Sequence, residues 1–535
     1  MGGSVSLGEI RQLVRAEEEY ECAPGVELRR VEWEFSLRGD EATQAKLEAL
    51  MRRNREHYAD HERFARLSRW RETGQAAPDR LLARQVELLW RDYLGNQGEP
   101  QIRDQLVRLQ AEQQGLFNRF RASLDGRAWS ENDLNDALAE TRDRELARRV
   151  WEASKQIGRY AEPHAIEMVR LNNRDAQAQG FRDAYERGLV LAEVDEGRLF
   201  ALLDALERDS DAPFRAAKAE LDARLAERFG VPAAELRPWH YGDPFFQRPP
   251  RAAEPDLDPY FKEKDPEALA NAAIDSIGLD ARPILARSDN WPRPGKNQHA
   301  FCMSVQPNGS DVRTLNNLTH SYHWTGVLLH ELGHALAAEY ADRSLPQRLV
   351  LWPNGIIAET ESQTIDRIAN DARWLHEAVG IEADRAEWLA DEMRQRARLS
   401  QLILTRWSLV QAHFERALHA DPEQDLPTLW WDLVERFQLV RRPEGRHEPD
   451  WAAKIHNANF PGHYYVYILG ELVVSQLSRA LAQEVGGLYG HRRAGPFLVD
   501  RLYRLGAQYD WEETARRATG APLSVDAYVA EWFGA

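Results

Sequence analysis

Apolar residues recur every three to four positions along most of the chain, the spacing that lines one face of a helix. Leu81, Leu82, Val86, Leu89 and Tyr93 form one such stripe, opened by Asp79 as an N-cap and closed by Gly95. Ile102, Leu106, Leu109, Leu116 and Phe117 form a second. Similar stripes with charged outer faces run through residues 130–230, 375–420 and 465–485, and each predicts a helix whose apolar face enters a core. Proline and glycine interrupt the pattern from Asp243-Pro244 through Pro259, at Trp291-Pro292-Arg293-Pro294-Gly295 and at Arg442-Pro443-Glu444-Gly445; these read as loops rather than flexible linkers. One segment departs from helical spacing. Ala300 to Val305 and Val312 to Leu318 are strand-like and flank Pro307-Asn308-Gly309-Ser310, and Asn-Gly between two such runs predicts a hairpin. The expected fold is mainly α with a small antiparallel β-sheet. No repeat, low-complexity tract or composition shift marks a separate module, so residues 1–535 are expected to form a single domain.

Composition agrees with a globular chain and narrows its partners. Of 535 residues, 43% are hydrophobic and 29% charged, and the 17 Trp demand a substantial core or an aromatic cleft. Lys and Arg total 69 against 86 Asp and Glu, a net charge of −17, which is the wrong sign for a nucleic-acid partner or an anionic membrane surface. The N-terminal residues lack a basic segment followed by an apolar one, and the longest apolar run, Tyr464 to Leu477, is broken by Glu471. The expectation is a cytoplasmic protein without a membrane span. Cys22 and Cys302 stand alone, in no metal-ligand spacing, as reduced thiols would.

The chemistry concentrates just after the predicted hairpin. Trp324 to Leu336 reads as a helix containing His330-Glu331-Leu332-Gly333-His334, and i,i+4 spacing sets both imidazoles on one face, where they can share one ion. Glu331 then points at the open coordination position and can take a proton from the attacking water. So short a pattern needs a third ligand. Glu359, one loop and one helix later, is the natural one, with Glu361 as its neighbour and competitor; Ile356, Gln363 and Ile365 fit a helix that turns Glu359 inward. A strand edge beside such a helix can hold an extended peptide by its backbone.

From about residue 236 to 480 the chain resembles the angiotensin-converting-enzyme family of peptidyl-dipeptidases, including its soluble bacterial members, with the thimet-oligopeptidase group as more distant relatives. The resemblance implies one zinc per chain on His330, His334 and Glu359, and a helical ellipsoid whose two halves enclose a deep cleft. Glu359 to Gln363, a Glu-x-x-Ser-Gln, looks more like the thimet group. The family Asp that orients the first histidine would fall at Gln363, which implies an altered support for that ligand. Lys454, His456, Tyr464 and Tyr467 resemble the family's Lys, His and Tyr-x-x-Tyr; taken alone, Tyr464 and Tyr467 are tyrosines on one helical face and would read as core aromatics. The resemblance makes Tyr467 and His456 donors to the oxyanion. It makes Gln247, Lys454 and Tyr464 the holders of a peptide's free C-terminal carboxylate. It also sets His299 and Ala300 on the substrate-binding edge strand, although His299 alone could be a loop histidine.

A terminal carboxylate anchored at a fixed distance from zinc measures out two extended residues, roughly 7 Å of chain. The implied activity is therefore removal of C-terminal dipeptides from short peptides. The alternatives are an internally cutting oligopeptidase and a catalytically silent peptide-binding protein on the same scaffold. In chloride-responsive members an Arg precedes the second tyrosine; Val466 stands there and implies weak dependence on chloride.

Overall fold

Short acidic and hydroxyl side chains start many of the helices that the apolar stripes predict. Asp79 accepts the Leu82 N–H at 3.1 Å and opens the helix Arg80–Leu94, whose buried face carries Leu82, Val86, Leu89 and Tyr93. Asp143, Asp195 and Asp425 open Arg144–Ser154, Glu196–Phe229 and Leu426–Gln438 in the same way. The second stripe also folds as a helix, Pro100–Arg119, but of its five apolar residues only Ile102 is buried. The other buried position is Gln113, whose amide donates to the carbonyls of Ala161 and Ala458 at 3.0 and 3.1 Å; two satisfied hydrogen bonds let a polar side chain occupy a core position.

The computed structural model describes residues 7–250, 256–351, 355–459 and 462–534. The first six residues, part of the Pro-rich break before Pro259, and Pro461 lie outside them. The fold is mainly α with two small antiparallel sheets. In the expected hairpin, β3 (Phe301–Ser304) pairs with β4 (Val312–Leu315) in the register Phe301↔Leu315 to Ser304↔Val312. Asn308-Gly309 does not form a tight two-residue turn. The connection runs from Val305 to Asp311, which closes it through Val305 N–H to Asp311 C=O at 2.8 Å, and Asn308 Oδ1 accepts the Ser310 N–H inside it. A second hairpin precedes it, β1 (Ala122–Leu124) with β2 (Arg127–Trp129). Its corner is Asp125-Gly126, with φ of 53° and 71°, the left-handed pair that a type I′ turn requires.

The chain divides into two units that interleave in sequence. One comprises Met1–Gln97, Pro255–Arg394 and Gly470–Ser524, the other Gly98–Glu254, Gln395–Leu469 and Val525–Ala535. In the first unit, β3 and β4 lie against the helix Tyr322–Glu339, and Leu328, Leu329, Leu332, Leu336, Val312 and Leu315 are solvent-free. In the second, Trp151, Trp407, Trp451, Phe214 and Phe414 fill the interior, which accounts for part of the high tryptophan content. Among the described residues no helix is long and apolar enough to cross a membrane.

Candidate functional site

Ser321 caps the helix Tyr322–Glu339 by accepting the Trp324 N–H at 3.3 Å, and this helix presents His330 and His334 one turn apart with ring centroids 5.1 Å from each other. The helix Gly355–Asp366 packs alongside. Gly333 permits that approach: a Cβ there would meet Ser362 Cα at 2.5 Å and Glu361 O at 2.7 Å. Any larger residue between the two histidines would push the helices apart. The close packing brings Glu359 to the histidines. Nitrogens of His330 and His334 and a Glu359 oxygen all lie within 4.8 Å of one another, with His330 Nε2 to Glu359 Oε2 at 3.9 Å. Glu361 is buried on the same helix and is not part of this group.

The donor set suits a zinc ion. Ligands about 2.0–2.2 Å from a tetrahedral zinc stand roughly 3.5 Å apart, so modest side-chain rotations close the group around one ion. Each imidazole is held from behind. His330 Nδ1 lies 2.9 Å from Asp366 Oδ2, and His334 donates to the Ala358 carbonyl; both hydrogen bonds leave the other ring nitrogen with its lone pair free for a metal. Burial, then the neighbouring His330, hold His334 down to about 4, so it is neutral at pH 7. Burial also lowers His330, but the hydrogen bond and charge of Asp366 outweigh it and raise the ring overall. Glu331 is 7% exposed, and burial pushes its carboxyl up to about 7 against the pull of His330.

Asp366 is the form taken by the altered support that the resemblance implied at Gln363. The support exists, one turn further along the same helix. Positions 359, 363 and 366 share a helical face, and that spacing was the available signal. Asp366→Asn should weaken metal binding by about 10- to 100-fold, measured by competition with a chelator, while the thermal midpoint of the metal-loaded protein moves little.

His299 and Ala300 stand at the entry to β3 rather than in it, since the strand begins at Phe301. The second edge of β4 is taken by Asp289, through Asp289 N–H to Thr314 C=O at 3.0 Å and Asn316 N–H to Asp289 C=O at 2.9 Å. Among the described residues no strand pairs with the outer edge of β3.

The remaining predicted residues lie in the second unit. Lys454 Nζ donates to Gln247 Oε1 at 2.6 Å and sits 5.8 and 5.7 Å from the ring centroids of Phe245 and Trp407. Among the described residues no Asp or Glu forms an ion pair with it. Burial lowers its ammonium to about 8. The backbone beside it is strained: Phe246, a buried residue, has φ of 50°, a conformation that persists only where surroundings impose it. Gln438 imposes it by donating its amide to Phe246 C=O at 2.7 Å, and Asp243 Oδ1 accepts the Gln247 N–H at 3.2 Å.

The two tyrosines are not core aromatics and do not share a helix. The helix is Tyr465–Val485, so Tyr464 precedes it. Tyr465 is the core residue at 1% exposed, whereas Tyr467 is 43% exposed. The rings of Tyr464 and Tyr467 have centroids 5.0 Å apart, and His456 lies 5.5 Å from Tyr464. Burial pushes the Tyr464 phenol up to about 12 and His456 down to about 4, so both are neutral at pH 7.

Residues 285–532, just under half of the chain, match the family model described as Peptidase family M3. The chain is also 24% identical over 475 residues to angiotensin-converting enzyme-like protein Ace3 of Mus musculus, a match covering 77% of this chain and 61% of that protein. The chain thus spans under two thirds of that relative's length. Both findings agree with the motifs and with a His-His-Glu group able to hold a metal, and they support a zinc metallopeptidase family of the angiotensin-converting-enzyme and thimet-oligopeptidase type.

Proposed function

We propose that the chain is a zinc peptidyl-dipeptidase that removes dipeptides from the free C-terminus of short peptides. The observation that carries the peptidase reading is the convergence of His330, His334 and Glu359 with a buried Glu331 between the histidines. A zinc ion held there would polarise the scissile carbonyl and acidify water. Glu331 accepts the water's proton on its carboxylate and hands it to the leaving amine, a role suited to a group whose proton affinity burial has raised toward neutrality. Tyr467 and His456 donate hydrogen bonds to the carbonyl oxygen as charge develops on it; burial keeps the His456 ring neutral at pH 7, and a phenol O–H or a neutral imidazole N–H suits that task. The outer edge of β3, entered through His299 and Ala300, holds the peptide backbone in extended form.

What supports the C-terminal specificity is Lys454. It is a half-buried cation between two aromatic faces whose described hydrogen-bond partner is a neutral amide, Gln247. A substrate carboxylate supplies the missing negative charge, with Tyr464 as a further donor. An internally cutting oligopeptidase would use the same metal group and leave Lys454 without a terminal carboxylate. Mass spectrometry of products from a panel of unmodified peptides separates the two: dipeptides from every C-terminus are expected, whereas fragments set by internal sequence would overturn the dipeptidase reading and leave the metal site standing.

A further inference from the structure

Glu415 lies in the helix Ala383–Ala420 at a position where amphipathic spacing would permit a solvated carboxylate, yet it is 1% exposed. Its Oε2 accepts the Tyr464 N–H at 3.2 Å, its Oε1 is buried without a hydrogen-bond partner among the described residues, and the nearby N–H groups of Gly462 and His463 favour its charged form. These residues lead directly into the helix Tyr465–Val485, whose first N–H groups have no partners within the helix and favour a negative charge nearby. We infer that Glu415 is a positioning residue: its carboxylate clamps the backbone before that helix and so fixes where the Tyr464 and Tyr467 hydroxyls point. The inference rests on the roles proposed for those two tyrosines.

The clamp transmits through short links. Tyr464 is itself held, and its carbonyl accepts the Tyr467 N–H at 3.3 Å, while His463 C=O accepts the Val466 N–H at 3.3 Å. The same backbone is seated closely from below. Gly462 has φ of 96°, and a Cβ there would meet His419 Cε1 and Tyr185 Cδ2, both at 3.4 Å. His419 is one turn beyond Glu415, its Nδ1 2.8 Å from the Glu415 carbonyl. The Tyr464 hydrogen bond and the nearby N–H dipoles of Gly462 and His463 offset part of the cost of burying this carboxylate. Burial pushes the Glu415 carboxyl up to about 7, and the three N–H groups work against that shift. A glutamine would keep the volume but turn one acceptor into a donor facing N–H groups.

Glu415→Gln is therefore expected to lower kcat by about 10- to 100-fold, the cost of a catalytic group displaced by an ångström or less, with metal content unchanged. Two measurements separate this from a general structural defect. In the full chain, hydrogen exchange followed by mass spectrometry should find the amides of residues 462–464 protected on the order of 100-fold or more relative to an open loop, and unprotected in Glu415→Gln. In a Tyr467→Phe background, Glu415→Gln should cost little further kcat, because both changes remove the same hydroxyl interaction. Wild-type kcat in Glu415→Gln, or a full additive loss in the double variant, would overturn the assignment. So would rapid exchange of these amides in the native protein, a result that decides the matter even if the variant fails to fold. If Tyr467→Phe alone leaves kcat intact, the role proposed for Tyr467 fails, and loss of protection in Glu415→Gln would still uphold the clamp.

Discussion

Glu331→Gln is expected to retain the metal and lose turnover by about 100- to 10,000-fold, the range over which a positioned base contributes. The amide matches the carboxylate in size but cannot accept a proton, so the loss should fall on kcat with KM little changed. Its side chain lies between His330 and His334 in sequence but is not part of the His-His-Glu group that could hold a metal, and metal analysis of the same preparation checks that this group is intact. The pH profile gives a second readout. Glu331 works deprotonated, so activity falls as pH drops through its proton affinity. Burial sets that affinity near 7 in the metal-free chain, and a bound cation favours the carboxylate and moves the acid limb below 7. In Glu331→Gln the residual rate should lose this limb. A variant that cleaves at a near-normal rate would show that another group moves the proton.

The two histidines of the candidate metal group were legible because a helix repeats every 3.6 residues and HExxH needs nothing beyond local spacing. Asp366 obeys the same rule relative to Glu359, and a search along that face, rather than at the single position the resemblance suggested, would have reached it. The β1–β2 hairpin also carried a local signal in Asp125-Gly126, but strands of three residues are too short for alternation to stand out. The tyrosines show where periodicity misleads: a spacing of three suggested one helical face, yet the helix starts at Tyr465, and the core took the tyrosine that the pattern ignored. Glu415 could not be found from sequence at all. A glutamate in an amphipathic helix looks solvated until the fold lays a loop over it. Lys454 and Gln247, brought together from distant parts of the chain, likewise have no spacing to read, and only the family resemblance selected them.

Amidating a substrate's C-terminus should lower kcat/KM by roughly 30- to 150-fold, equivalent to about 2–3 kcal/mol for a charge-assisted contact in a partly desolvated site. The estimate follows from the surroundings of Lys454: two aromatic faces, a neutral amide acceptor, and no ion pair among the described residues. An amide at the chain end supplies no charge and presents N–H groups to an ammonium that has none to accept them. Lys454→Ala should weaken free-acid peptides by a similar factor and amidated peptides little, since both changes delete one interaction and must couple in a double-mutant cycle. The pH dependence has a defined sign. Lys454 is the cation that is lost as pH rises through about 8, so KM for free-acid peptides should climb above that pH while KM for amidated ones stays flat. A bound carboxylate raises the lysine's proton affinity, which places the effect in KM rather than kcat. Equal cleavage of free and amidated peptides at the same bond would remove the anchor from the mechanism and leave an internally cutting metallopeptidase in its place.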